Sequence, residues 1–411
     1  MQCGYTLKQK MLVICMTVYL FTLFVFIESA DTYIYSKFAF LITFILAVVN
    51  IKKDEVYLTD VDIAFVLFTL LCCISCVWSQ WQAKSIETSI TMIQLSAMFV
   101  VFRMALRPIA TKELFMSVIL CAGIAMCIFY LSTYGISGYL AAMKGIGRIG
   151  SEFENTNTIG GSGAFIITIA VIQGIEKRKW YYYLAAAISA FIVIGSGSKA
   201  AILVSLVGIL MAILYSATIR KNSKLYKFAM IVTLGVALLY IINNISSIPF
   251  LNSILERFEE MFADLAGRSM YANTSTTYRM KMNEVGFNAF LSHPLSGVGI
   301  YAMKDTLASN GLPYIIVHCN YIELLADLGI IGFLVYYYVY YYMLRRIRKC
   351  SINKSFAICM VFLMLLIDVT GVTYYSQRFI LFLILTSLAV EEDEGVIENV
   401  FRRRYVFGNR P

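Results

Sequence analysis

A chain of 411 residues in which 60% are hydrophobic and only 14% charged lies well below the roughly 25% charge of ordinary soluble domains. With a mean hydropathy of +0.75, a string of water-soluble domains is excluded. The net charge of +9 reads as a membrane-topology signal rather than a nucleic-acid patch.

The apolar residues arrive in blocks of spanning length, about 20 residues each. The expectation is an all-α polytopic membrane protein with about twelve spans. In chain order they are centred on 11–29, 37–51, 62–78, 89–104, 114–133, 158–175, 181–196, 199–217, 228–246, 326–343, 355–372 and 378–390. The first is read as a retained span, because no convincing small-residue cleavage site follows it. The pair flanking GSGSK (195–199) is expected to be two short spans or a broken element.

Positive charge falls on alternate connections: Lys8 and Lys10; Lys52 and Lys53; Arg103, Arg107 and Lys112; Lys177, Arg178 and Lys179; Arg220, Lys221, Lys224 and Lys227; Arg345, Arg346, Arg348, Lys349 and Lys354; and Arg402, Arg403, Arg404 and Arg410. These are most of the 34 basic residues. The positive-inside bias then predicts both termini in the cytoplasm. Five segments follow: N-terminal spans in 1–144, central spans in 145–246, a long outer loop in 247–325, C-terminal spans in 326–390 and a cytoplasmic tail in 391–411.

Trp78 and Trp81 bracket the outer end of the third span, and Trp180 the inner start of the seventh. The run YYYVYYY (336–342) sits at the inner end of the tenth. All are read as interfacial belt and packing aromatics. The ten cysteines show no metal-ligand spacing, and those within spans act as small apolar residues. Asp60-Val61-Asp62 spells the pattern with which nucleotide-sugar transferases hold a metal. It falls in a short inner loop with no soluble domain around it, so no binding role is assigned.

Polar material collects on the outer side, in a loop from about 134 to 157 and in the one from 247 to 325. Within the latter, 253–268 has the period of an amphipathic helix. Cations recur there: Arg148 before the sixth span, Lys199 opening the eighth, Arg279 in the long loop and Arg378 opening the twelfth. Each alone is compatible with snorkelling to headgroups; as a set they fit convergence on an anionic substrate. An ionisable group in a bilayer faces the bundle interior or a watery cavity, which marks Asp368 as a second base or a partner for a cation. Glu152 and Glu154 are read as solvated loop acids or sugar contacts.

HCNYIELLADLGIIGF (318–333) places one of only two histidines ahead of an apolar helix. Asn320 and Glu323 match the spacing of a capping box, so the helix is expected to start near Tyr321 with His318 before it. A pKa near neutrality suits His318 to general-base work. His293, in HPLSGVG (293–299), reads instead as part of a turn.

The ordered set resembles the Wzy/WaaL superfamily of O-antigen and capsule polymerases and O-antigen ligases. It comprises Arg148 followed by Asn155 and Asn157, GSGSK, Arg279 in TTYRMKM, HPLSGVG, and H-x-N-Y-I-E-L-L-A-D-L-G-I-I-G. The likeness runs from about residue 145 onward; residues 1–144 match only as generic spans. It implies a GT-C-like bundle and a metal-independent glycosyltransferase without a cofactor, acting outside the cytoplasmic membrane on an undecaprenyl-pyrophosphate-linked glycan. A flippase and a chain-length regulator are the implied partners, alongside the bilayer and without nucleic acid. Arg148, Lys199 and Arg279 would stabilise the leaving pyrophosphate, and His318 with Arg279 would be catalytic. Asn157, Asn320, Glu323 and Asp368 would support or bind glycan. Lys199 departs from the arginine usual there, exchanging a bidentate fork for a point charge. A repeat-unit polymerase is the leading expectation, with a glycan ligase and a lipid-linked glycan flippase as alternatives.

Overall fold

The structure, a computed structural model, describes residues 6–26, 31–53, 56–109, 111–143, 147–150, 155–219, 275–312, 316–348 and 354–391. These residues are mostly helical, with no strand among them. We number the helices α1 Leu7–Val25, α2 Tyr33–Asn50, α3 Asp60–Ser75, α4 Gln82–Leu106, α5 Lys112–Met143, α6 Thr156–Lys177, α7 Trp180–Gly195, α8 Lys199–Ile219, α9 Ser275–Ser292, α10 Lys304–Ser309, α11 Asn320–Ile347, α12 Lys354–Ile367 and α13 377–391. Six of the described helices are long and apolar enough to cross a membrane: α1, α2, α4, α5, α6 and α11. The span expected at 228–246, the amphipathic helix at 253–268, Glu152 and Glu154, and the tail beyond 391 lie outside the described residues.

The chain divides into two compact units. The first contains Met1–Met16, Phe40–Phe115 and Tyr278–Pro411; the second contains Thr17–Ala39 and Met116–Thr277.

In the second unit, α6 is almost wholly buried. Its small residues let neighbours approach closely, as in other membrane helix pairs: a Cβ at Gly160 would press on Ser196 and Ala201, and one at Gly163 on Val193. The loop expected to begin at 134 begins later, because Gly135 bends α5 (φ 59°) and the chain then resumes helix as far as Met143.

In the first unit, two polar features fix the helices. At the α3 N-terminus, Asp62 is fully buried and accepts from Arg103 Nε at 2.7 Å and Arg107 Nη2 at 2.9 Å. Arg103 also donates to Glu391 at 2.6 Å and to the Ser387 hydroxyl. This corrects two readings of the sequence. Asp60 and Asp62 lie in the first turn of a helix rather than in a loop, and Arg103 is a fully buried ion-pair partner rather than a free inner-surface charge.

The second feature is a break in α11. Gly329 takes φ 64°, which interrupts the helix. Ile330 N, which an unbroken helix would pair with Ala326 O, donates to Pro294 O instead. The freed carbonyls of Ala326 and Asp327 accept from Val298 N and Gly299 N, all at 2.9 Å. HPLSGVG therefore closes the backbone accounts of the broken helix. Glycine is required on both sides, since a Cβ at Gly297 would overlap the Asp327 carbonyl and one at Gly329 the Leu295 carbonyl.

Candidate functional site

In the first unit, α9 presents Arg279, Met282, Gly286 and Ala289 at helical spacing along one face. Met282 and Ala289 join a core with Val298, Met303, Leu307, Val317 and Ala326. Gly286 admits Val317 and Ile322 so closely that a Cβ would strike both. This face brings the Arg279 guanidinium near the backbone that carries His318. Both side chains are half-buried, and Arg279 is the charged group that acts on the His318 imidazole. Burial first, and Arg279 second, lower the His318 pKa to about 4 from the ordinary 6.5. The imidazole is thus neutral at pH 7 and able to accept a proton, but it is a weaker base than the sequence reading assumed.

His318 has φ 63°, the left-handed region that bulky residues seldom enter. Glu323, one turn into α11, holds the preceding backbone: its fully buried carboxylate accepts from Val317 N at 2.5 Å. The capping box expected from the sequence is therefore not the arrangement found. Cys319 is the N-cap residue, and Asn320 is already helical. The Asn320 side chain turns to the α12–α13 connection, where Oδ1 accepts from Thr373 N at 2.8 Å and Tyr374 N at 3.1 Å.

Asp368, fully buried just past the end of α12, belongs to the same assembly. Its carboxylate accepts from Tyr337 OH at 2.9 Å and from the Thr373 hydroxyl. Asn320 Nδ2 lies 3.0 Å from the same Tyr337 oxygen, and Asn320 N donates to Asp368 O at 2.8 Å. The expectation for the tyrosine run holds only in part: Tyr338 and Tyr341 are exposed, whereas Tyr336 and Tyr340 are buried and Tyr337 bridges two site residues.

Asp327 shares a face of α11 with Asn320 and Glu323, as their helical spacing implies. It is fully buried, and its Oδ2 accepts from Tyr301 N at 3.0 Å and Tyr374 OH at 2.8 Å. Tyr301 is the other left-handed residue of this unit besides glycines (φ 56°) among those described. Each of the two left-handed positions is thus adjacent to a backbone N–H, or supplies one, held by a carboxylate one helical turn from the other on α11. The spacing of Glu323 and Asp327 at i and i+4 was the available signal. His293 is exposed, and its carbonyl accepts from Gly297 N at 2.9 Å, as a turn residue's would.

In the second unit, Asn155 caps α6 by accepting from Asn157 N at 2.9 Å. Asn157 itself accepts from Arg148 Nη2 at 3.2 Å, and Arg148 Nε donates to Ser196 O at 2.6 Å. Ile149 N bonds Gly195 O at 2.9 Å. The GSGSK break is a turn at 196–198, with Gly197 at φ 62°, and α8 begins at Lys199, which is half-buried. Arg148 thus links the Asn157 side chain to the Ser196 carbonyl at the end of α7.

The chain is an all-α, multi-pass membrane protein. Residues 184–337 match the family model for O-antigen ligase, and that match supports the Wzy/WaaL superfamily. The family suggests a polymerase or ligase-related function of glycosyltransferase type. No curated protein matches the chain.

Proposed function

We propose that this protein is a polysaccharide polymerase that joins undecaprenyl-pyrophosphate-linked repeat units on the outer face of the bacterial cytoplasmic membrane, with both termini inside. The observation that carries the reading is the neutral imidazole of His318 beside the Arg279 guanidinium, on a backbone braced by Glu323. In the proposed step the acceptor hydroxyl attacks the anomeric carbon of the donor glycan. Its proton passes to His318, and the bond from that carbon to the pyrophosphate oxygen breaks. Negative charge gathers on the departing undecaprenyl pyrophosphate, where Arg279 offers a fixed charge in a water-poor setting. Asn320 and Asp368, which share Tyr337 as a partner, are proposed as supporting residues at the start of α11. In the second unit, Arg148, braced by Ser196 and Asn157, and Lys199 are proposed as phosphate-binding cations.

A ligase that transfers finished glycan to another acceptor is the second reading, favoured by the description of the matched family. Deleting the gene separates the two on a glycan gel. A lost polymerase leaves acceptor carrying a single repeat; a lost ligase leaves long lipid-linked polymer unattached. Normal chain length and normal attachment would overturn both.

A further inference from the structure

Three aromatic rings of the first unit form a continuous row, and no role in the proposed transfer has been given to them. Trp81 and Tyr301 have ring centroids 6.3 Å apart, and Tyr301 and Tyr375 5.6 Å apart. All three side chains are partly exposed. Two ammonium groups lie over the row: Lys304 Nζ is 4.4 Å from the Trp81 centroid and Lys84 Nζ 5.5 Å from that of Tyr301. Lys84 also pairs with the exposed Glu87 at 2.8 Å.

A buried polar frame fixes these rings from behind. Asp327 accepts from the Tyr301 backbone N and from Tyr374 OH, and the Tyr374 ring packs on Tyr375 at 4.8 Å. From α3 and α4, Ser75 Oγ accepts from Ile300 N at 3.0 Å and Ser85 Oγ donates to Ile300 O at 2.5 Å. Ser79 Oγ accepts from Trp81 N at 3.2 Å. Tyr301 itself sits at φ 56°, a conformation that is strained for a bulky residue and persists only where its surroundings impose it. An aromatic belt that merely anchors helices at headgroup level needs neither a fixed row of rings nor a strained backbone beneath it.

We infer that Trp81, Tyr301 and Tyr375 form a glycan-binding platform, on which the C–H faces of sugar rings stack while Lys84, Lys304 and Glu87 exchange hydrogen bonds with sugar hydroxyls. The inference rests on the glycan-transfer reading and deepens it by assigning a subsite for the saccharide chain. Rigid aromatic anchors of this kind give large contact area for little ordering cost. Asp327 ties the platform to the same turns of α11 whose Glu323 braces the His318 backbone, so the platform and the proposed base share one support.

Tyr301→Gly is the informative variant, because it removes the ring while relieving the left-handed backbone. In a deletion strain complemented with this variant, polymer is expected to fall roughly tenfold at an unchanged amount of membrane protein, whereas Tyr301→Phe keeps polymer near normal. Binding is read separately on the full chain in nanodiscs. Trp78→Phe and Trp180→Phe leave Trp81 as sole fluorescent reporter, and the probe is oligosaccharide released by mild acid from the producing cell's own polysaccharide. A saturable change in Trp81 emission that weakens roughly tenfold in Tyr301→Gly supports the platform. Wild-type polymer and wild-type titration in Tyr301→Gly overturn it, as does emission that responds to added lipid but not to oligosaccharide. Failure of the catalytic reading is distinguishable: Arg279→Ala would then make normal polymer whatever Trp81 binds.

Discussion

The first unit buries acidic side chains in two places and treats them differently. At the N-terminus of α3, Asp62 and Glu391 face Arg103 and Arg107; Asp62 also accepts from Thr59 N at 2.8 Å, but both acids have a guanidinium as partner. Along α11 and after α12, Glu323, Asp327 and Asp368 accept from backbone N–H groups and from tyrosine and threonine hydroxyls. The first arrangement cancels charge and ties α3, α4 and α13 together. The second spends carboxylates on holding short stretches of loop backbone in conformations they would not take alone. A buried ion pair adds little net stability, because its attraction mainly offsets its own desolvation. The acids that restrain the neighbours of His318 are the frame on which the proposed site rests.

This contrast is broken most directly by alanine. We expect Arg279→Ala and His318→Ala each to abolish polymer while the membrane holds normal amounts of protein. Arg148→Ala in the second unit should do the same if its charge is used. Arg103→Ala should instead lower protein, since removing one partner of a buried ion pair costs up to about 3–5 kcal/mol, less here because Arg107 still reaches Asp62, and polymer should fall only in step with protein level. Immunoblots of membranes beside glycan gels check both. Wild-type chain length in Arg279→Ala would sink the charge-stabilisation proposal.

A finer cut lies at Glu323. If its task is to accept from Val317 N, Glu323→Gln retains an acceptor and should keep polymer within a few fold of normal. Glu323→Ala leaves that buried N–H unpaired at about 1–3 kcal/mol and should lose most of it. Equal and complete loss in both variants would mean that the negative charge, not the brace, is what matters.

The pH response sharpens the comparison at His318. With the folded pKa lowered to about 4, the neutral imidazole persists well below 6.5. The acidic limb of initial rate in a reconstituted assay should therefore fall near pH 4. The linked stability has the same sign: between about 6.5 and 4 the unfolded chain takes up the proton first, so this residue's contribution to stability is lost as pH falls through that window. A rate that halves near pH 6.5 would show His318 to be either more solvated or not the base.

Much of this was legible in the sequence, for identifiable reasons. Hydropathy blocks mark helices because the bilayer demands internally satisfied backbone, and α1 to α8 and α11 to α13 begin or end within several residues of where those blocks fall. His318 and Asn320 belong to one motif, and Arg279 and Asp368 fall in the same unit of the structure. What the sequence hid were interactions between segments far apart in the chain. The Asp62–Arg103 pair spans 41 residues and Asn320–Thr373 spans 53, and no periodicity reports such pairings. The capping-box spacing at Asn320 misled because a side-chain amide satisfies whichever donors tertiary packing brings nearest. Tyr337 was concealed by its own neighbours, since a run of tyrosines looks uniform until a helix sorts it into faces.

That sorting supplies the smallest test. Tyr337 and Tyr338 are adjacent, yet one hydroxyl bridges Asn320 and Asp368 while the other ring is exposed. Tyr337→Phe removes an O–H that donates to a buried carboxylate and takes away a partner of the Asn320 amide, a loss of about 1–3 kcal/mol. Tyr338→Phe removes an exposed hydroxyl and should fall within about 0.5 kcal/mol of the parent. Thermal unfolding of the two purified variants in one detergent should therefore separate them, with Tyr337→Phe the less stable. Polymer yield should drop modestly in that variant alone, because the bridge steadies the α12–α13 connection rather than touching substrate. Identical unfolding curves would mean that Asn320 and Asp368 find each other without the tyrosine, and the α11 side of the site would then rest on Glu323 and Asp327.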